Sequence, residues 1–528
     1  MTERKGWYLL AGTVIAGCLV ASSALGKPSD TLDSIRARKP PAKPAPRKPV
    51  PRKPAPKPRP APSTGPGASA EPKSQWLVAK LGGGDSKTIA EAIQKAPIGT
   101  RILVRGGIYS ESLVLTRPVE IAPEAFDKPV IVEGVTGPAV RMQAEDAVIR
   151  NITLRGSPGA GAKVAYAVDV SRGRLVLEEC ELASGAKGCV LVHGKAATPY
   201  FRKCRLSSTL GDGAVVTEGA GGSFEECDFY ESAGAQVRLS GGANPTFQSC
   251  GFRKGKSDGV VISDGGLGQF VRCEVLENVG VGVSIGRGGN PMFQDCTFRA
   301  NAGFAVQVTD QGKGSIQGGR ITGNLSYAVY VSAGDFKITG CRIADNKKDG
   351  VRFGEGAVGT VEGCEITGSG WNAVSIYTQA NPTIRNCQLH NQASCAVVVN
   401  NGGKGTIEDC ELSGSRNWSA LSIFTNADPI VRRCKIFGNK HEGVKVWDHS
   451  KGLIEDCSIY SNAWTGITLQ GAADPLIRRC KIYQNTQLGL HAANRAAGTL
   501  EDCEFWKNGG GNIKVERSTT VTRGVQQR

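Results

Sequence analysis

The chain has 528 residues, a formal net charge of +16, only 6% aromatic residues and 70 glycines. Few aromatic residues and many glycines favour short strands and tight turns over a helical core. Residues 1–75 hold 14 Lys/Arg and 4 Asp/Glu, so they carry +10 and leave only +6 for the other 453 residues. The basic balance therefore belongs mainly to the N-terminal segment and does not indicate a specific nucleic-acid-binding fold.

The first 26 residues are typical of a signal peptide or membrane anchor. Two basic residues precede the uncharged run Gly6–Gly26. Three outcomes remain open: cleavage near the end of that run, lipidation of Cys18 within a lipobox-like IAGC, or retention of Trp7–Leu25 as an anchor. All three predict an exported bacterial protein that is secreted, periplasmic or on the cell surface.

Residues 27–75 are predicted to be a disordered linker rich in Pro, Lys and Arg. Within them, residues 36–62 carry ten positive charges and no negative charge. Proline fixes φ and removes backbone donors, so this stretch favours an extended spacer. It is interpreted either as a solvated stalk or as a polybasic arm that contacts an anionic envelope surface.

A cysteine frame dominates the rest of the chain. The motif hydrophobic-x-x-Cys-x-hydrophobic recurs at intervals of 22 to 24 residues, and Gly319 fills one missing position. The fourteen cysteines in this register are Cys180, Cys204, Cys227, Cys250, Cys273, Cys296, Cys341, Cys364, Cys387, Cys410, Cys434, Cys457, Cys480 and Cys503. Units this short cannot bury their own apolar face and must stack on one another.

Alternating apolar residues within each unit indicate short strands. Stacked units of this kind predict an all-β, single-stranded right-handed parallel β-helix of about 18 coils, with about 23 residues in each, over residues 76–515. Residues 86–97 have helical spacing and are predicted to form a short N-terminal cap. Residues 516–528 are predicted to be a disordered tail.

The repeat assigns the cysteines to one inward-facing column of small apolar side chains. No Cys-x-x-Cys or His pair supplies zinc spacing, and no clustered Asp/Asn loop indicates calcium, so no metal or cofactor is predicted. Stacked side chains also keep their Cβ atoms too far apart for disulfides, so buried thiols are expected. Cys189 and Cys395 lie off the column and receive no assignment.

Two resemblances bear on function. Residues 82–115, which include the sequence GGIYSE, resemble the opening of pectinesterases and other pectin-lyase-like β-helices, although the catalytic segments of pectinesterases are absent. The later repeats, about residues 150–510, are similar to the PbH1-type β-helix of bacterial carbohydrate-binding and sugar-hydrolysis (CASH) domains and of some F-box proteins. These resemblances imply a β-helix and leave the activity open, because this fold hosts lyases, hydrolases, epimerases and binding scaffolds.

Aromatic residues follow every second coil in the C-terminal third. Trp371, Trp418 and Trp464 open equivalent strands, about 10 Å apart along the predicted rod. Tyr377, Phe424 and Trp447 follow those strands or the one between them. Flat rings at this spacing could stack on alternate sugars of an extended glycan. Each tryptophan could equally cover its own turn and pack on the coil below.

The coil at residues 440–451 concentrates the titratable side chains. His441, Lys445 and Asp448 are candidate catalytic residues, together with Glu442 and His449, although no motif specifies a catalytic pair. A solvated charged face explains the same residues. The leading hypothesis is an exported polysaccharide-binding protein; the alternatives are a polysaccharide lyase or glycoside hydrolase centred near His441–His449, and a non-enzymatic adhesin or protein scaffold.

Overall fold

Three long parallel sheets form the described part of the protein. The structure is a computed structural model that describes residues 74–135, 137–157, 166–185 and 187–523. Each coil contributes one short strand to each sheet, and each strand pairs with the equivalent strand of the next coil, as Thr383–Arg385 pairs with Thr406–Glu408. The predicted right-handed parallel β-helix is therefore confirmed, with about nineteen turns against the eighteen expected.

The strand bounds are as follows. The first sheet contains Gln75–Val78, Arg101–Val104, Glu120–Pro123, Asp146–Arg150, Arg174–Glu178, Tyr200–Arg202, Ser223–Glu225, Thr246–Gln248, Gln269–Val271, Met292–Gln294, Lys313–Gln317, Asp335–Thr339, Val358–Glu362, Thr383–Arg385, Thr406–Glu408, Ile430–Arg432, Leu453–Glu455, Leu476–Arg478, Ala497–Glu501 and Thr520–Arg523. The second sheet contains Gly107–Ser110, Val130–Glu133, Thr153–Gly156, Glu181–Ser184, Arg205–Ser208, Asp228–Tyr230, Gly251–Arg253, Glu274–Leu276, Thr297–Arg299, Arg320–Thr322, Arg342–Ala344, Glu365–Thr367, Gln388–His390, Glu411–Ser413, Lys435–Phe437, Ser458–Tyr460, Lys481–Tyr483 and Glu504–Trp506. The third sheet contains Leu113–Leu115, Val140–Met142, Val168–Val170, Gly188–His193, Asp212–Thr217, Val237–Leu239, Val260–Ile262, Val283–Ile285, Val306–Val308, Val329–Ser332, Val351–Gly354, Val374–Ile376, Val397–Asn400, Leu421–Phe424, Val444–Val446, Ile467–Leu469, Leu488–Ala492 and Gly511–Val515.

The core is built from columns of like side chains, one per coil. In the first sheet, Phe224, Phe247 and Phe270 stack with ring centroids 4.8 Å apart, close to the spacing of parallel strands. The predicted cysteine column lies at the corner between the first and second sheets, and all sixteen described cysteines are free thiols. The Sγ of Cys387 lies 3.5 Å from the carbonyl oxygen of Val361 in the preceding coil, so the thiol donates to the backbone of its neighbour.

A second buried column, made of asparagine side chains, forms hydrogen bonds at the turn between the second and third sheets. Nδ2 of Asn439 donates to Oδ1 of Asn462 at 2.8 Å, and Asn462 repeats the contact with Asn485 at 2.9 Å. The same amides also donate to carbonyls of the coil below, as Asn462 does to Ile436. The column explains why asparagine recurs five residues after the cysteine.

A short helix, Ile89–Lys95, packs against the first coils. Thr88 caps its N-terminus by accepting from the backbone N–H of Glu91, and Glu111 accepts from the N–H groups of Ile89 and Ala90 at 3.0 and 2.8 Å. At the other end, Arg117 donates to the carbonyl of Ala96. The helix lies within the predicted residues 86–97.

The last described strand, Thr520–Arg523, pairs with Ala497–Glu501 and belongs to the first sheet. Part of the predicted tail at 516–528 is therefore ordered, because the repeat continues for one more strand. Residues 524–528, the N-terminal segment with Cys18 and almost all of the predicted linker lie outside the described residues. Among the described residues, no helix is long and apolar enough to cross a membrane.

Candidate functional site

The predicted site residues gather on the outward side of the third sheet, between the strands Val351–Gly354 and Ile467–Leu469. The middle position of each strand points away from the core, and these positions align from coil to coil. The aligned side chains are Arg352, Ser375, Val398, Ser422, Lys445 and Thr468. Four of these six side chains are small. We call this surface, with the residues on its two edges, the third-sheet face.

One edge of the third-sheet face carries the three predicted tryptophans. Trp371, Trp418 and Trp464 are 47%, 50% and 45% exposed. About half of each indole is therefore open to solvent, and the covered half is compatible with packing over its own turn. The rings are not equally free, because the Trp464 ring lies 4.7 Å from that of His441, tilted by 46°. For Trp418 the described part of the chain provides no aromatic ring contact, and half of its surface is open to solvent.

The opposite edge carries Tyr377, Phe424 and Trp447, which are half-buried. The Phe424 and Trp447 rings are 5.1 Å apart. Lys445 Nζ lies 5.4 Å from the centre of the Trp447 ring, so this lysine shares the face with the aromatic edge. Burial raises the pKa of Tyr377 to about 12.

The candidate catalytic residues do not converge. His441 precedes the strand Val444–Val446, and Asp448 follows it in a left-handed turn with φ of 53°. The strand Val444–Val446 runs between them, so these two residues lie at opposite edges of the face. Asp448 accepts a hydrogen bond from Thr425 Oγ1 at 2.9 Å, and His449 is its neighbour at 3.5 Å. The coil thus separates His441 from Asp448 by the length of the strand, while Asp448 and His449 remain adjacent.

Glu442 also lies on the His441 side of the strand, where its backbone carbonyl accepts from Ala420. Across the described residues, no group of three or more His, Cys, Asp or Glu side chains is arranged to hold a metal ion.

A cluster that the sequence analysis did not identify lies at the N-terminal end of the same face. The Asp349 side chain is completely buried, and Oδ1 accepts from both the backbone N–H and Nδ2 of Asn372 at 3.0 Å. Arg352 Nη1 lies 3.8 Å from Oδ2, too far for a hydrogen bond, and donates instead to the Tyr327 hydroxyl at 3.0 Å. Burial raises the pKa of Asp349.

Aromatic rings surround that guanidinium. The Arg352 Cζ atom lies 4.4 Å from the centre of the Tyr377 ring and 5.3 Å from that of Tyr327. Lys348 Nζ lies 5.0 Å from the Tyr327 ring centre and 5.6 Å from that of Trp371. The sequence signal was an arginine at the outward middle position, one coil before the first tryptophan of the row.

The structure places Cys189 and Cys395, the two cysteines outside the column. Cys395 lies beneath the third-sheet face, with its Sγ 3.3 Å from Ser422 Oγ and its backbone N–H donating to Asn372 Oδ1. Cys189 belongs to the strand Gly188–His193. Burial raises the pKa of Cys395 to about 11 and that of Cys189 to about 12, so both are poor nucleophiles as placed.

The GGIYSE sequence has a structural role in this chain. The Tyr109 side chain is buried and donates to the carbonyl of Arg105 at 2.8 Å, while Glu111 caps the helix Ile89–Lys95. The resemblance to pectinesterases at this point therefore concerns how the first coil is closed.

Comparison with known families agrees with this architecture. The family described as "Right handed beta helix region" matches residues 138–292, 188–336, 329–446 and 419–523, which together span most of the chain. The chain belongs to the right-handed β-helix family. A curated relative, the "Probable pectinesterase/pectinesterase inhibitor 17" of Arabidopsis thaliana, is 29% identical over 166 residues. That match covers 28% of this chain and 32% of the relative, so the chain spans about a third of the relative's length.

Several solved β-helix structures are similar at low identity. The A-module of the Azotobacter vinelandii mannuronan C-5 epimerase AlgE4 has a TM-score of 0.24 and 12% identity, covering 82% of this chain and 94% of that one. The periplasmic alginate epimerase AlgG has a TM-score of 0.25 and 10% identity, covering 72% and 77%. The PL6 family alginate lyase AlyGC has a TM-score of 0.27 and 8% identity, covering 86% and 99%. Similarity this low does not transfer an activity.

Proposed function

We propose that this protein binds an extended polysaccharide along the third-sheet face, with the chain of sugars parallel to the axis of the β-helix. The observation that carries the proposal is the row of three half-exposed tryptophans, Trp371, Trp418 and Trp464, at equivalent positions of alternate coils. Two coils rise roughly 10 Å along the axis. A polymer whose repeat has a similar length would therefore meet an equivalent tryptophan at each repeat.

The chemistry of the face supports this ligand. Sugar C–H faces are apolar and stack on electron-rich rings, and exposed tryptophan is otherwise unfavourable in water. The small side chains Ser375, Val398 and Ser422 are buried between the two aromatic edges, so a ligand on this face would contact mainly the exposed rings at its edges. The pectinesterase-named relative, although it matches only part of the chain, also favours a carbohydrate-related role.

Binding is tested by retention of the full chain on a panel of insoluble glycans and by affinity electrophoresis in gels that contain soluble ones. We expect Trp418→Ala and Trp464→Ala each to weaken retention roughly three- to tenfold, because each removes one stacking contact. Trp506→Ala is the matched control, since Trp506 lies on the second sheet and stacks on Tyr483 at 4.3 Å. Unchanged retention in both tryptophan variants would refute the proposal.

An enzymatic role near His441–His449 is the alternative class of function, and it is tested in the same samples. Glycan cleavage would release new reducing ends or produce unsaturated uronate absorbance. Lys445→Ala and Asp448→Ala would abolish either product if that coil holds the catalytic groups. Because His441 and Asp448 lie at opposite edges of the face, we favour binding. Capture of a protein with no glycan retention would support the scaffold hypothesis instead.

Export belongs to the same proposal, because a polysaccharide of the cell envelope or surroundings lies outside the cytoplasm. It depends on residues 1–26, which lie outside the described residues. Mass spectrometry of the mature protein distinguishes cleavage near Gly26, a lipid on Cys18 and an intact N-terminus. Recovery of the intact, unmodified chain in the soluble cytoplasmic fraction would contradict export.

A further inference from the structure

We infer that the ligand of the third-sheet face is an acidic polysaccharide, and that Arg352 and Lys348 form the subsite for one of its anionic groups. This inference rests on the proposed function and adds the chemical class of the ligand. The anionic group is a carboxylate or a sulfate half-ester, since both present the oxygens that a guanidinium binds through parallel hydrogen bonds.

Arg352 retains most of its hydrogen-bonding capacity. Its side chain is 27% exposed, and within the described residues its guanidinium makes one hydrogen bond, to the Tyr327 hydroxyl. Five N–H donors are present in a guanidinium, so at least one edge of the group has no protein acceptor. The rings of Tyr327 and Tyr377 hold its orientation, at 5.3 and 4.4 Å. A cation held in this way loses little conformational entropy when an oxyanion binds.

Arg238 shows how the charge of an arginine at the equivalent position is neutralised in another coil of this chain. It occupies the aligned outward position of the third sheet, five coils before Arg352. Its Nε and Nη2 atoms donate to Asp212 at 2.7 and 3.2 Å, so its charge is paired by a bidentate contact. The carboxylate nearest Arg352 belongs to Asp349, at 3.8 Å without a hydrogen bond, and that carboxylate is turned toward Asn372.

Lys348 brings a second cation to the same ring. Its Nζ atom lies 5.0 Å from the Tyr327 ring centre and 5.6 Å from that of Trp371, and the described residues provide it with no ion pair. Both cations therefore lie beside Tyr327, next to the first tryptophan of the row. A sugar stacked on Trp371 would place a substituent within reach of these two charges.

The test uses polymers of matched backbone that differ in charge. The carboxylate pair is polygalacturonate and its fully methyl-esterified form, and the sulfate pair is dextran sulfate and dextran. Affinities are measured by affinity electrophoresis at low and high salt, with the full-length wild type and the variants Arg352→Gln, Lys348→Gln and Arg238→Gln. A fourth variant, Asp349→Asn combined with Arg352→Gln, avoids leaving a buried carboxylate without its cation.

We expect the wild type to prefer the charged member of at least one pair, and the preference to fall with salt because charge pairing is screened. Arg352→Gln and the double variant should each lose about tenfold in affinity for that member, while Arg238→Gln retains wild-type affinity. The pair that shows the preference identifies carboxylate or sulfate as the group bound.

Equal affinity for both members of each pair, or a preference that survives the double variant, would overturn the inference. Retention that still depends on Trp418 and Trp464 in that case would leave the proposed glycan binding intact. Absence of binding to every polymer, charged and uncharged, would overturn both.

Discussion

Asn278 donates from Nδ2 to Oδ1 of Asn301 at 3.0 Å, although the two residues are separated by 23 positions in sequence. Asn301 makes the same contact with Asn324, and it also donates to the carbonyl oxygen of Val275. One side chain therefore joins three coils. Because these amides are buried, each contact is made without competition from water, and the loss of one leaves several polar groups unpaired.

We predict that Asn301→Ala destabilises the coils on both sides of it. The variant leaves Asn278 without its acceptor and the Val275 carbonyl without its donor, a cost of about 2 kcal/mol or more. Thermal unfolding and hydrogen exchange across residues 278–324 would show lower stability there. Ser369→Ala is the control, because Ser369 fills the same column but its Oγ has no hydrogen-bond partner. Equal destabilisation by both changes would show that the amide ladder is not the cause.

The cysteine column gives a prediction about reactivity. Fifteen of the sixteen described cysteines are buried, so a thiol reagent has no access to them in the folded protein. Cys503, in the last cysteine-bearing coil, is half-buried. In a Cys18→Ser background, we expect one rapidly reacting thiol in the native protein and all sixteen after denaturation. Rapid reaction that persists in Cys503→Ser would show that the column is open elsewhere.

The sequence predicts well which residues stack in columns, because the repeat shows which positions of successive coils are equivalent. A cysteine at constant intervals assigns Phe247, Asn301 and Trp418 to their positions before any coordinates are known. The same reasoning should have found a row on the second sheet, where Phe437, Tyr460, Tyr483 and Trp506 stack face to face 4.3–5.1 Å apart. Each aromatic residue follows its cysteine by three positions, so the signal was present.

Which side chains contact one another within the third-sheet face was harder to predict. The complete burial of Asp349 depends on Arg352 in its own coil and on aromatic side chains from neighbouring coils, and a column pattern does not encode the directions of long side chains. The charges of residues 440–451 were conspicuous in sequence, yet the strand Val444–Val446 separates His441 from Asp448 and His449. The charged residues of one coil therefore indicated which surface of the protein we propose to be functional. Contacts between neighbouring coils determine which of its side chains lie close together.

A third prediction concerns the helix Ile89–Lys95. Glu111→Ala removes the two carboxylate oxygens that accept from the N–H groups of Ile89 and Ala90, so we expect the free energy of unfolding of the first coils to fall by about 1–2 kcal/mol. Hydrogen exchange at Ile89 and Ala90 measures the change directly. Glu91→Ala is the control, because that side chain pairs with Lys95 and accepts only a longer bond, 3.3 Å, from the Lys87 N–H outside the helix, so it should matter less. If Glu111→Ala leaves hydrogen exchange at the helix unchanged, Glu111 of the GGIYSE sequence does not stabilise this helix.

The last prediction concerns acid stability at the outer corner between the first and second sheets. Arg432 and Arg433 donate to Glu408, and Arg433 also makes two hydrogen bonds to Asp409. These contacts hold the pKa of Glu408 and of Asp409 below their ordinary values.

A carboxyl group whose pKa is lowered by folding contributes stability above its ordinary pKa, and that contribution disappears as the pH falls through the lowered value. We therefore expect the combined variant Arg432→Gln and Arg433→Gln to be less stable than the wild type at pH 7, with the difference shrinking below about pH 4. Thermal unfolding from pH 7 to pH 3 measures this. The control is the single change Lys435→Gln, whose amine forms only an exposed pair with Glu411 at 3.0 Å. A difference that stays constant across the whole pH range would mean that the two arginines stabilise the corner by packing, and that their charges contribute nothing measurable.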